Sequence, residues 1–217
     1  MEKLEAMADF FAARVDMYDK HMLEEVEGCR SGYIKMAELV PISTKTLLDL
    51  GCGTGLELDF IFKRLPEIEV TGIDLSSVML EKLKNKHPDK NAHIICGDYF
   101  SVPFPKDVYD CAVSFQTMHH FPKEKKLSLY RKIYTSLKEG SVYIECDYMV
   151  ETQSEEDFRF AENERIRREQ GIPTDEFYHY DTPCTIENQI ELFKKAGFKE
   201  AKKVFREENT TIIIAEK

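Results

Sequence analysis

Leu47-Leu48-Asp49-Leu50-Gly51-Cys52-Gly53-Thr54-Gly55 decides the fold, because an apolar run of single-strand length breaks into three alternating glycines and a helical pattern begins directly behind them at Leu56. Glycine allows both a tight turn and a close backbone approach to a ligand, so strand, glycine turn and helix in succession make a cradle for a nucleotide-sized molecule. Leu56 stands where the fingerprint G-x-G-x-x-G needs its last glycine, and no Gly-Lys-Ser/Thr follows. Neither a dinucleotide pyrophosphate grip nor a phosphate-binding P-loop is therefore indicated.

Outward from this loop, short apolar runs alternate with helical spacings. Strands are predicted at 46–50, 69–74, 92–96, 109–115 and 141–146, with helices at 56–64, 76–86 and 123–137 between them. Asp74-Leu75-Ser76 offers a cap for the second of these helices, and Pro66, Gly140 and Gly197 fall where elements should stop. Such alternation means a doubly wound, mostly parallel sheet covered on both faces. Two further strands, 198–206 and 210–215, are separated only by Glu207-Glu208-Asn209, which permits a hairpin and hence an antiparallel last strand. Ahead of the core, residues 1–45 carry apolar residues at helical spacing (Leu4, Met7, Phe10, Phe11, Val15, Tyr18, Met22), broken near Gly28 and Gly32, and read as two or three amphipathic helices. After the fifth strand, 148–185 reads as a charged inserted helix followed by a loop with Phe177, Tyr178 and Tyr180, and 186–196 returns to helical spacing.

Two more strand ends bear on the cradle. Val70-Thr71-Gly72-Ile73-Asp74 ends in a carboxylate about twenty residues beyond the glycines, where it can accept hydrogen bonds from both ribose hydroxyls. Ile94-Ile95-Cys96-Gly97-Asp98-Tyr99 ends in another carboxylate beside an aromatic ring. Together these motifs resemble the class I S-adenosylmethionine-dependent methyltransferases: Asp49 to Gly55 is similar to their first motif, Asp74 with Leu75 to Leu80 to the next, and Gly97-Asp98 to the adenine-binding one. The resemblance covers about residues 46–147 and implies a seven-stranded sheet with its last strand antiparallel. It implies S-adenosyl-L-methionine as cofactor, with Asp49, Gly51, Cys52, Gly53 and Gly55 around the methionine moiety, Asp74 and Leu75 at the ribose, and Met79 packed on adenine. Asp98 and Tyr99 would contact the adenine amine and ring edge, and the backbone around Phe115 and Gln116 the amino-acid end.

Past the fourth strand, Met118-His119-His120-Phe121 puts two histidines at the mouth of the sheet, where open α/β folds bind ligands. Either could take a proton from an acceptor hydroxyl, thiol or amine, or serve only to cap and pack. Glu145 and Asp147 lie two apart on the fifth strand, hence on one side of it, and one of them is expected to face the site. Tyr18 is the candidate lid residue of the leading helices, and Phe177 to Asp181 the candidate substrate contacts of the insert; ordinary surface packing is the alternative for both. His119, His120, Asp147 and His179 show no ligand spacing such as H-x-x-x-H, so no metal is expected. Arg165-Ile166-Arg167-Arg168 reads as a solvated helix face.

Composition narrows the partners. Net charge of -10 offers no general attraction to phosphate backbones or anionic membranes, and no base-flipping Asn-Pro-Pro-Tyr motif is present, so nucleic acid and membrane are not expected. No apolar run approaches membrane-spanning length, and the acidic first ten residues are unlike a signal peptide, which points to the cytoplasm. The six cysteines form no C-x-x-C pair and read as free thiols, mostly buried. The expectation is a methyltransferase acting on an O, N or S atom of a small molecule, as monomer or homodimer. The order of leading helices, core, insert and late helix is also similar to carboxy-S-adenosylmethionine synthases, which modify the cofactor's own methyl group with prephenate; a non-catalytic cofactor-binding protein is a further alternative.

Overall fold

A computed structural model describes residues 3–173 and 176–217. Three helices, α1 (Met7–Ala12), α2 (Val15–Glu24) and α3 (Cys29–Leu39), precede the alternating core of β1 (Thr46–Leu50), α4 (Leu56–Arg64), β2 (Glu69–Asp74), α5 (Ser77–Lys86), β3 (Ala92–Cys96) and β4 (Tyr109–Phe115). A 3-10 turn (Met118–His120), α6 (Lys123–Ser136), β5 (Leu137–Tyr148) and the inserted α7 (Gln153–Gln170) follow. The chain closes with α8 (Ile186–Ala196), β6 (Glu200–Glu207) and β7 (Thr210–Glu216).

The strands form one sheet in the order β3-β2-β1-β4-β5-β7-β6, with β1 to β5 parallel and β7 antiparallel to both its neighbours. This is the doubly wound, seven-stranded sheet expected from the alternation. Strand order reverses between β1 and β4, so their carboxyl ends leave a crevice. Alternation along β1 shows why both faces are covered. Leu47 joins the core built with Tyr33, Met36 and Ile61, under α3 and α4, while Leu48 and Leu50 join the opposite core with Tyr130, Ile133 and Phe193, under α6 and α8.

Local chemistry sets the helix ends. The Ser76 hydroxyl accepts from the Met79 amide at 3.4 Å, and Thr152 and Thr185 do the same for Glu155 and Asn188 at 3.2 and 3.3 Å. Gly171 and Gly197, at φ 66° and 116°, end α7 and α8.

Two sequence expectations give way. Gly140 does not end an element; at φ 75° it lies inside β5, which starts at Leu137 and shifts register against β4 between Tyr109 and Cys111. An extra turn of backbone absorbed by glycine is how a strand carries such an irregularity. Gly32 does not interrupt the leading helices but sits within α3, where a Cβ would come within 3.2 Å of the Phe115 ring and the Cys146 sulfur. Its lack of a side chain lets α3 press onto the sheet. Cys96 is exposed, at the end of β3, whereas the other five thiols are buried. Among the described residues no helix is long and apolar enough to cross a membrane.

Candidate active site

The cradle is built from the ends of β1 and β2. Gly51 and Cys52 donate their amides to the Ile73 carbonyl at 2.8 and 3.3 Å, and the Gly53 amide donates to Asp74 Oδ2 at 3.0 Å. The other Asp74 oxygen accepts from the Ser76 amide at 2.8 Å, so this carboxylate holds the glycine turn to the start of α5. Burial raises its pKa above the ordinary value, and these backbone donors restrain the rise. All three loop glycines have positive φ, and at Gly51 a Cβ would meet the Thr117 hydroxyl at 2.7 Å. Asp49 is fully buried beneath the turn rather than at its surface. No donor reaches either of its oxygens, and it faces Glu57 from the first turn of α4. Burial pushes both acids up, Asp49 to about 7, and the Asp49 charge adds to the rise at Glu57.

The remaining cofactor candidates take different positions. Cys52 and Met79 are almost wholly buried, so Cys52 presents only backbone to the cradle. Leu75 is half-buried between β2 and α5. Asp98 accepts from the Phe100 amide and the Ser101 hydroxyl, both at 2.8 Å, tying its own turn. The Tyr99 ring is packed in the core against Phe100 and Phe121, and its hydroxyl lies 3.0 Å from the Thr117 hydroxyl that touches Gly51. Phe115 stacks on Tyr33 at 3.6 Å, which fixes the end of β4. Gln116, at φ 49°, donates its amide to the Cys146 carbonyl at 2.8 Å and turns its side chain toward Cys29 and Thr210.

The first helices roof this crevice. Asp19 of α2 accepts from the Thr54 hydroxyl at 2.6 Å, directly on the glycine turn, and lies 3.3 Å from Lys82, whose ammonium also reaches the Val15 carbonyl at 2.9 Å. Tyr18 comes down beside this latch; burial above all, then the charges of Glu57 and Asp74, raise its phenol pKa. The chain start is also tied to the insert. Ala6 and Tyr178 pair as an isolated antiparallel bridge, with the Met7 amide donating to the Phe177 carbonyl and the His179 amide to the Glu5 carbonyl, both at 3.0 Å. Below this strap the His179 ring stacks on Phe10 at 3.5 Å, and a cavity of about 810 Å³ opens, lined among others by Phe11, Tyr18, Gln116, His119, His120 and Asp181.

His119 and His120 are both buried, on the turn after β4. Asp147 Oδ1 lies 2.6 Å from His119 Nδ1, so of the two acids on β5 it is Asp147 that meets the histidine. On the other side, Asp181 Oδ1 lies 3.5 Å from His119 Nε2 and 3.4 Å from His120 Nδ1. Burial alone would pull the His119 imidazole down, but Asp147 and then Asp181 outweigh it and hold its pKa at about 9. With protons as the only cations, His119 is therefore an imidazolium between two carboxylates rather than a free base. Burial and the His119 charge lower His120, burial brings His179 down to about 4, and the two histidines keep Asp181 well below the usual carboxylate range. The insert holds this turn in place, since Thr182 donates to the His119 carbonyl through its amide at 2.6 Å and its hydroxyl at 2.9 Å.

Glu145 is buried one step beneath Asp147. It accepts from Tyr130 at 2.8 Å, Tyr143 at 3.0 Å and Gln189 at 2.6 Å, and burial followed by the Asp147 charge lifts its pKa to about 8. Lys126, also fully buried, reaches Cys184 at 3.4 Å. Arg165 pairs with Glu162 and Glu169 along the surface of α7, and Arg167 binds the Glu176 carbonyl at 2.9 Å. Sequence reasoning missed Thr117 and Thr182, placed Asp19 only beside Tyr18 in the lid, and took Asp181 only as one of the insert's candidate substrate contacts. An acid one residue after a lid tyrosine was the one available signal for Asp19.

Residues 47–140 match the family described as methyltransferase domain. The chain is 29% identical over 130 residues to 24-methylenesterol C-methyltransferase 2 of Arabidopsis thaliana, a match covering 58% of this chain and 34% of that protein. It is 26% identical over 195 residues to the carboxy-S-adenosyl-L-methionine synthase of Nautilia profundicola, covering 78% of this chain and 76% of that one. The structure of human N-acetylserotonin methyltransferase in complex with SAM superposes with a TM-score of 0.64 at 16% identity, covering 97% of this chain and 55% of that chain. The chain thus spans about a third of the sterol enzyme and about three quarters of the synthase. The chain has the class I fold of the S-adenosylmethionine-dependent methyltransferases, with a methyltransferase domain over residues 47–140.

Proposed function

We propose that the protein moves a methyl group from S-adenosyl-L-methionine to an O, N or S atom of a small molecule held in the cavity above His119 and His120. The observation that carries this reading is the Gly51 to Gly55 turn held by Asp74 and roofed by Asp19 on Thr54, with Tyr18, the neighbour of Asp19 on α2, lining the cavity beside Gln116 and the histidines. In the proposed complex the Gly51, Gly53 and Gly55 backbone surrounds the methionine end, with Asp49 and the Cys52 backbone below it. Asp74 and Leu75 hold the ribose, Met79, Asp98 and Tyr99 form the adenine side, and Phe115 and Gln116 border the amino-acid end. Cofactor binding would exchange the Gly53 hydrogen bond to Asp74 for ribose hydroxyls.

The sulfonium is already an activated electrophile, so the protein contributes mainly orientation and exclusion of water. The roof of α1, α2 and the strap from the insert supports that role. We assign residues 1–45 and 148–185 as the two halves of this cap over a core that runs from residue 46 to the chain end. Tyr18 closes over the reacting centre, Asp147 fixes the His119 ring, and His119 with His120 meets the acceptor. The five buried thiols suit a reducing, cytoplasmic setting. The acidic surface supports a small-molecule substrate over nucleic acid or membrane, and the unit is taken as a monomer or homodimer.

Calorimetric titration with S-adenosylmethionine and S-adenosylhomocysteine tests the reading. Binding by the wild type, with loss in Asp74→Ala and partial retention in Asp74→Asn, is expected; no binding by the wild type would refute it. One observation favours a second reading, carboxy-S-adenosylmethionine synthesis: the match to the synthase runs across most of that protein's length. That chemistry needs a cation for the added carboxylate, and the arginine at the cavity, Arg14, is engaged by Glu5 at 3.0 Å and by the Phe10 ring. Mass spectrometry of the bound nucleoside after incubation with prephenate separates the two, since only the synthase reaction adds a carboxylate to the cofactor.

A further inference from the structure

His119, His120 and Asp181 do not satisfy one another. His119 Nε2, His120 Nδ1 and a carboxylate oxygen of Asp181 all lie within 4.8 Å of one another, and both His120 Nδ1 and Asp181 Oδ1 lack any hydrogen-bond partner although the residues are buried and one-third exposed, respectively. The other His119 nitrogen is spent on Asp147, and a ring nitrogen that donates to a carboxylate leaves its opposite nitrogen with a free lone pair. Three acceptor atoms therefore converge on one point, and an unpartnered buried acceptor is costly.

We propose that these three side chains bind one divalent first-row transition metal of the zinc class. Two of the three ligand separations, 3.4 and 3.5 Å, match the edge of about 3.3 Å that a tetrahedral centre with bonds of about 2.0–2.1 Å requires. The third, between the two ring nitrogens, lies within 4.8 Å. Two imidazoles and one carboxylate are a borderline donor set that suits zinc, cobalt or iron(II) rather than magnesium or calcium. Asp147 supplies the outer carboxylate that orients a metal-bound histidine. Three protein ligands leave a fourth position, and all three line the cavity, so that position belongs to a small molecule. The absence of a ligand motif in sequence is explained by where the ligands reside: two come from the turn after β4 and the third from the insert, more than sixty residues away.

Its use in transfer rests on the methyltransferase reading; the binding itself does not. A hydroxyl or thiol acceptor entering the fourth position gives its proton to solvent and binds through oxygen or sulfur as an anion. That atom then forms the bond to the methyl carbon as the sulfonium C–S bond breaks and S-adenosylhomocysteine leaves with the electron pair.

Metal content after dialysis against zinc and gel filtration, together with cobalt(II) titration of apoprotein followed by visible absorption, tests the site without any cofactor. One zinc per chain and the intense visible bands of four-coordinate cobalt are expected. Asp181→Asn and His120→Gln should weaken zinc binding more than about 100-fold, and Asp147→Asn about 10- to 100-fold, with circular dichroism unchanged. Absence of stoichiometric metal, or retention of it in both ligand variants, would overturn the site. S-adenosylmethionine binding measured on the same samples keeps the two readings apart: metal without cofactor leaves the site standing and sinks the methyltransferase reading, whereas cofactor without metal sinks the site and its transfer step and leaves the methyltransferase reading standing.

Discussion

The two halves of the crevice are built by opposite means. On the β1–β2 side, the cradle is made of backbone amides and one carboxylate contributed by residues 49–76, a stretch of contiguous chain in which each turn follows directly from its strand. On the β4–β5 side, the histidine cluster draws on the turn at 118–120, Asp147 at the end of β5, Asp181 and Thr182 of the insert, and the first helices. Contiguity suits a ligand whose shape never changes, whereas assembly from distant segments lets a site vary without touching the cradle. Loops carried on a rigid sheet are the usual place for such variation.

The sharpest way to break this contrast is to damage each half and ask whether the other notices. Asp74→Ala removes the carboxylate proposed above to hold the ribose, and about 3–4 kcal/mol lost there corresponds to at least about 100-fold weaker S-adenosylhomocysteine binding by calorimetry. His119→Ala should leave that affinity within about threefold while lowering kcat/KM by about 100-fold or more with any accepted substrate. Loss of cofactor affinity in His119→Ala would mean the halves are one unit. Asp19→Ala releases the latch between α2 and Thr54, which bridges the halves, and a single hydrogen bond of this kind predicts about a tenfold rise in KM for both ligands. The smallest effect concerns stability. An acid whose folded pKa is raised keeps its proton longer in the folded state than in the unfolded chain, so its stabilising contribution is full below about pH 4 and is lost as pH rises toward about 7. Asp49 and Glu57 should therefore make the cofactor-free protein melt lower at pH 8 than at pH 5.5, and Glu57→Gln should flatten that dependence; an unchanged slope by scanning calorimetry would assign it to other groups.

This contrast also explains what could be read from sequence. The cradle and the sheet were legible because strand alternation, the glycine turn and Asp74 are local patterns whose spacing is fixed by backbone geometry. Gly32 and Gly140 were misread for the same reason: glycine signals a break locally, yet here one serves close packing of α3 on Phe115 and the other an irregularity within β5. The neighbourhood of Tyr99 in sequence carries no sign of the Thr117 hydroxyl it reaches, nor of the aromatic rings that pack on it. Alternation placed Glu145 and Asp147 on one side of β5 but could not choose between them, because the choice depends on depth: Tyr130, Tyr143 and Gln189 enclose the first, and only the second reaches the mouth. Asp181 lies in a loop with no periodicity, where only the folded chain brings it to the histidines.

The strap between Ala6 and Tyr178 has a kinetic consequence. It stitches the chain's first helices to the insert, so α1 and the 176–182 segment must swing away together, carrying the Phe10–His179 stack with them. Two main-chain hydrogen bonds and a ring stack released in one event make opening slow relative to a single loop's motion. On the proposed methyl transfer, commitment to reaction would be high once both ligands are trapped, and a methyl-labelled cofactor is expected to show its full isotope effect only in single-turnover experiments, with steady-state turnover timed by the departure of products.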